Sequence, residues 1–238
     1  VKHSHVPVEY RDTFSKAATG DALVSNIYML SDTQASITTT QSSEPNLYSA
    51  FIETPQGQMV YDDQYKFFLF GNQCGIDEQL RTDSSQYGAR LVRYFTNERA
   101  VLMVDISRSV IEDTIASLDA GEGSVTGFVT CDGTEYIYSA SERTEGNVFV
   151  GKSYVDAAFA SEETSGFSYV EDDTYLFLYS VIEGRNALIC ALIPRETIIG
   201  QTADIQQFSV FLVVLASLIA ILLGSVLAGQ YGGAIYDM

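Results

Sequence analysis

The chain has 238 residues, 46% of them hydrophobic, with 18 Gly, 4 Pro and no Trp, a composition that buries a core rather than staying disordered. Its 31 acidic residues against 13 basic ones give a net charge of -18, which repels nucleic acid and anionic lipid surfaces and excludes a nucleic-acid partner. Three cysteines, Cys74, Cys131 and Cys190, show neither a CxxC nor a metal-ligand spacing and read as buried free thiols rather than a disulfide framework.

The start at Val1, with no apolar signal segment after it, reads as a piece of a longer protein. Residues 8–18 are a candidate helix end, and 25–31 a candidate strand. LYSAFIETPQGQMVY (47–61) reads as a hairpin turning at Gly57, and FGNQCGIDEQL as an irregular connection. YGARLVRYFTNERAVLMVDISRSVI (87–111) reads as a strand, a polar turn from Thr96 to Arg99, and a second strand rich in Val and Leu. It then enters a helix in which Ser109 and Glu112 have capping-box spacing and Val110, Ile111, Ile115 and Leu118 form one stripe. Gly121, Gly123 and Gly127 precede a strand instead of opening a helix, the wrong context for a phosphate cradle. VTGFVTCDGTEYIYS (125–139) reads as a hairpin turning at Asp132-Gly133. VGKSYVDAAFA reads as helical and 167–170 as a strand. TYLFLYSVIEGRNALICALIPRETI (174–198) then repeats the 87–111 pattern at an offset of 87 residues, with Pro194 where a helix begins.

Residues 208–228 run for 21 positions without a charged side chain. A helix of about 20 apolar residues crosses a bilayer, so a single transmembrane span is expected there, after an extracytoplasmic acidic body and before a cytoplasmic C-terminal end. Ala216, Ala220, Gly224 and Ala228 recur every fourth residue within it, a small-residue face on which a homodimer could pack.

The repeat divides the soluble part into two α+β units, each a five-stranded antiparallel sheet with helices beside it. The expected boundaries are 1–106 for the membrane-distal unit, 107–200 for the membrane-proximal unit, 201–230 for the juxtamembrane and transmembrane helix, and 231–238 for the start of a cytoplasmic linker. Catalysis finds little support. Both histidines, His3 and His5, lie in the first five residues, which leaves no folded imidazole as general base and no third ligand for a metal. The pairs Asp62-Asp63, Glu162-Glu163 and Asp172-Asp173 read as solvated turns. The chain is therefore expected to be no enzyme and to need no cofactor and no metal.

The tandem arrangement, the VLMVDISRSVIEDTI stretch and the ALIPRETI exit toward the apolar run resemble the double Cache family of extracytoplasmic sensor domains, whose units are relatives of the PAS fold. The resemblance covers nearly the whole chain. It implies two PAS-like units and a bacterial transmembrane receptor, most often a methyl-accepting chemotaxis receptor, with ligand bound in the distal unit. A histidine kinase or cyclic-dinucleotide enzyme is the alternative output, and an anchored surface protein without signalling the alternative class. The Arg-x-Trp-Tyr pattern of amino-acid-binding members is absent, and only Asp105 falls where the family's Asp sits.

The residues themselves offer a similar site. Asp105 shares a strand face with Val101 and Met103, so its carboxylate needs a partner. Arg90 and Arg93 fall on opposite faces of their strand, so at most one lines a pocket. Tyr61, Tyr65 and Tyr87 are candidate pocket walls. The matched positions in the second unit, Leu192, Phe177 and Ser180, offer no ion pair. A small charged or zwitterionic ligand in the distal unit is the expectation.

Overall fold

Two hairpins with the same outline organise the protein. β4 (Tyr87–Phe95) returns as β5 (Ala100–Ser107), and β9 (Tyr175–Val181) returns as β10 (Ala187–Pro194). The computed structural model describes residues 8–40, 42, 44–64, 67–71, 75–118, 120–139, 147–182 and 186–198. The apolar run 208–228 with Ala216, Ala220, Gly224 and Ala228, the His3/His5 pair, Tyr65 and Cys74 lie outside those residues. Among the described residues no helix is long and apolar enough to cross a membrane.

Helix α1 (Val8–Gly20) leads into β1 (Val24–Ser31) and the short β2 (Ile37–Thr38). Helices α2 (Leu47–Ile52) and α3 (Pro55–Asp62) follow, then β3 (Phe67–Phe70) and α4 (Asp77–Leu80). The first sheet is ordered β2-β1-β5-β4-β3. Helix α5 (Arg108–Ser117) connects to β6 (Val125–Thr130), β7 (Glu135–Ser139), α6 (Ser153–Ala160) and β8 (Ser165–Val170). The second sheet is ordered β7-β6-β10-β9-β8. Numbered within each half, both sheets run 2-1-5-4-3, with β1 and β4 antiparallel to β5, β3 to β4, β6 to β7 and β10, and β8 to β9. The α+β class and two five-stranded sheets agree with the sequence.

Residues 47–61 correct the sequence reading: they form α2 and α3, not a hairpin. Thr54 is the N-cap of α3, accepting a hydrogen bond from the Gly57 N–H, and Pro55 sits at the first helical position, where its missing N–H costs nothing. Gly57 is not a turn glycine. A Cβ there would come within 1.9 Å of the Phe51 carbonyl oxygen, so the residue permits the close approach of α3 to α2. The two strands expected there come instead from Ile37–Thr38 and from Phe67–Phe70, the latter next to the stretch read as irregular. The α5 start is a second correction. Ser107, not Ser109, is the N-cap, no side chain caps the helix, and Glu112 accepts from Arg108 Nε at 2.7 Å. Ile111 and Ile115 are buried while Leu118 is exposed, because α5 meets the sheets only through its first two turns. A third correction concerns Cys131, which is exposed in the β6–β7 turn. Cys190 is buried, and both are free.

Alternation assigns the faces. Tyr28 and Leu30 of β1, Val92 and Tyr94 of β4, Val101 and Met103 of β5, and Phe68 and Phe70 of β3 share one core with Phe51, Val60 and Leu80 of the covering helices. The opposite faces of the two sheets meet over Leu69, Ala89, Ile111, Ile115, Phe128, Tyr136 and Ala187. A Cβ on Gly88 would lie 2.8 Å from Ile111 Cδ1, so that glycine lets β4 sit down on α5. In the second sheet, Val125, Val129, Phe177, Leu188, Cys190 and Leu192 face α6. Strand β6 is buried at every position because both of its faces are covered. The described residues up to Ile193 form one compact unit, and those from Pro194 onward belong to a second. Of the latter, Pro194 closes β10 and residues 195–198 are helical.

Candidate functional site

On the helix-covered face of the first sheet, at the end where β4 begins and β5 ends, the alternation that supplies apolar side chains supplies charges instead. Arg90 and Asp105 are register partners across β4 and β5, and both are completely buried. Arg90 Nε donates to Asp105 Oδ1 at 2.6 Å and Nη2 donates to Oδ2 at 3.1 Å, a two-point geometry that suits a guanidinium and a carboxylate. Arg90 Nη1 reaches Asp77 Oδ1 at 2.8 Å. The Asp77 side chain is 16% exposed, which makes it the part of the cluster that touches solvent.

Two tyrosines complete the arrangement. Tyr28 OH donates to Asp105 Oδ2 at 2.8 Å, and Tyr87 OH donates to Asp77 Oδ2 at 2.7 Å. The Arg90 guanidinium carbon lies 4.6 Å from the Tyr87 ring centroid and 5.4 Å from that of Tyr28, within cation–π range. Burial raises the pKa of the Tyr28 phenol, with the Asp105 carboxylate acting in the same direction. Burial also raises that of Tyr87, outweighing the opposing pull of Arg90. Both therefore stay neutral donors.

Helix α4 is only one turn long, and the loop after β2 holds it. Thr40 Oγ1 donates to the Leu80 carbonyl, and Ser42 Oγ to that of Gln79 at 2.5 Å. These bonds satisfy the helix's C-terminal carbonyls and fix Asp77 opposite Arg90.

The sequence-derived candidates separate accordingly. Arg90, Asp105 and Tyr87 come together. Arg93 lies on the other face of β4, half-buried, its guanidinium 4.2 Å from the Phe67 ring centroid. Tyr61 is 46% exposed on α3 and packs edge-on against Tyr94, away from the charges. Asp77 and Tyr28 are additions. Tyr28 carried the signal of alternation with Leu30, whereas Asp77, in the run Asp-Glu-Gln-Leu, carried none. The matched second-sheet residues Phe177 and Leu192 are buried hydrophobics.

No protein-family profile matches the chain, and no curated protein is similar to it. Solved structures do match. An extracellular domain assigned to a histidine kinase is 13% identical, with a TM-score of 0.55 over 82% of this chain and 80% of its own. The ligand-binding domain of the Pseudomonas fluorescens chemoreceptor CtaA, in complex with L-isoleucine, is 14% identical, with a TM-score of 0.52 over 83% and 80%. A second extracellular domain assigned to a histidine kinase is 12% identical, with a TM-score of 0.52 over 82% and 83%. The chain has the double Cache fold. The neighbours are an extracellular domain and a ligand-binding domain by description, and in this chain the architecture is a pair of 2-1-5-4-3 sheets on consecutive halves.

Proposed function

We propose that this double Cache chain is the extracytoplasmic sensor region of a transmembrane receptor and binds a small zwitterion, an α-amino acid in class, at the Arg90–Asp105–Asp77 cluster. The observation that carries this reading is a charge imbalance. One guanidinium between two carboxylates sums to -1 at the edge of a buried core, and a ligand ammonium at the partly exposed Asp77 would neutralise it. The CtaA domain is in complex with L-isoleucine, which carries such an ammonium.

In this reading the first sheet is the membrane-distal unit, 208–228 spans the bilayer, and the Ala216/Ala220/Gly224/Ala228 face pairs two copies. The output is a chemotaxis receptor or a histidine kinase, and the sensor region itself is non-catalytic, without cofactor or nucleic-acid partner. The test is a thermal-shift screen of the proteinogenic amino acids against the whole chain in lipid nanodiscs, followed by titration of each hit into Asp77→Asn. Loss of the charged partner should weaken binding about 5- to 150-fold. The absence of any hit, or a hit indifferent to Asp77→Asn, overturns the assignment.

A further inference from the structure

In the second sheet the places matched to Arg90 and Asp105 hold Phe177 and Leu192, and the face that carries them is closed by the chain itself. Phe149, from the loop before α6, is completely buried and lies on Gly127 of β6, where a Cβ would come within 2.6 Å of Phe149 Cε2. Its ring centroid is 6.4 Å from that of Phe177, which is in turn 4.7 Å from Tyr154 and 5.8 Å from Tyr179, spacings at which aromatic rings attract one another. The ring therefore sits in an aromatic seat on the sheet, and a loop brings it there.

Two local features hold that loop down. Glu135 of β7 accepts from the backbone N–H groups of Val148, Phe149 and Val150 at 2.8, 2.9 and 2.8 Å, three charge-assisted bonds to one carboxylate. After Phe149 the chain turns, the Lys152 N–H donating to the Phe149 carbonyl at 3.1 Å, with Gly151 at φ 79° in the position where a type II turn requires a positive φ. Glu135 is only half-buried, so water can compete for its bonds. Val150 and Gly151 also border a surface groove of about 430 Å³ whose other walls include Val129, Val155 and Phe159, and lifting the loop would join the Phe149 seat to it.

We propose that Phe149 is the built-in occupant of an aromatic-binding cavity on the helix-covered face of the second sheet, with the loop 148–151 as its strap and Glu135 as the latch, and that a small uncharged aromatic molecule takes the same seat when the strap lifts. The ligand class follows from the surroundings, since the side chains packed with Phe149 are apolar or aromatic and favour a ring over an ion. The cavity is separate from the Arg90–Asp105–Asp77 cluster and does not depend on what binds there.

Phenol serves as the probe, measured by equilibrium dialysis against the full chain in nanodiscs, with empty nanodiscs as background. The strap leaves the seat open for only a fraction of the molecules, and apparent affinity falls by that fraction. Releasing the latch by Glu135→Ala should therefore tighten phenol binding about 5- to 150-fold over the unaltered chain. Phe149→Ala, which removes the occupant, should leave a folded chain that binds phenol saturably. Cyclohexanol, similar in outline but without a π face, should bind each variant about 2- to 10-fold more weakly, and adding Asp77→Asn should change none of these values. An unchanged phenol affinity in Glu135→Ala, or cyclohexanol bound as well as phenol, overturns the proposal. So does a Phe149→Ala chain that unfolds or binds no phenol, which would make the ring a fixed part of the core, and so does phenol binding that Asp77→Asn abolishes.

Discussion

Arg90 and Asp105 stand directly opposite each other on neighbouring strands, and the bond between their side chains is shut off from solvent. Two charges in that position are expensive to desolvate and very costly to separate. Asp105→Asn should destabilise the chain by about 3–5 kcal/mol in urea denaturation. The double variant Arg90→Met/Asp105→Leu, which removes both charges, should recover most of that loss. Additive losses in the double variant would show that the two residues act independently.

The phenols of Tyr28 and Tyr87 set an alkaline limit. Burial raises their pKa in the folded state from the ordinary value of 10.0, so the unfolded chain gives up these protons first. Their contribution is full below pH 10 and is lost as pH rises beyond it. Phenolate absorbance should show their ionisation only together with loss of far-ultraviolet circular dichroism. Tyr28→Phe and Tyr87→Phe should each delete one late step. A complete phenolate signal from a folded chain would contradict the burial.

Two glycines should respond in opposite directions. Gly57→Ala places a Cβ 1.9 Å from a backbone oxygen and 2.8 Å from Ile52 Cα, neither of which can rotate away, and should cost at least about 1–3 kcal/mol. Gly20, the last residue of α1, has nothing within 4 Å of a Cβ, and Gly20→Ala should gain about 0.5–1 kcal/mol. Matched denaturation curves decide both.

Glu135 on β7 accepts three backbone N–H bonds, from Val148 at 2.8 Å, Phe149 at 2.9 Å and Val150 at 2.8 Å. Glu135→Ala strands those donors and should cost about 1–3 kcal/mol. Amide hydrogen exchange at residues 148–150 should accelerate far more than exchange in β4 and β5. Uniform acceleration would mean that the loop opens only with the whole fold.

The late hairpins were legible because period two and the polar turns agree, and the same alternation correctly sent Arg90 and Arg93 to opposite faces. The misread segment 47–61 shows where local signals compete. Gly57 looks like a turn residue, yet Thr54-Pro55 is a helix start, and only the packing against Phe51 shows why a glycine stands inside α3. Asp77 was invisible for a different reason. It reaches Arg90 from a four-residue helix positioned by Thr40 and Ser42, long-range bonds that leave no periodic trace.

Helix α5 begins three residues after Asp105, and the packing of Ile111 and Ile115 places it against β4 and β5 as well as β6 and β7. Only Ile106 and Ser107 separate the buried Asp105 from a helix packed between two sheets. The last strand of the first sheet is thus joined through α5 to β6, which is hydrogen-bonded to β10, the strand that ends at Pro194.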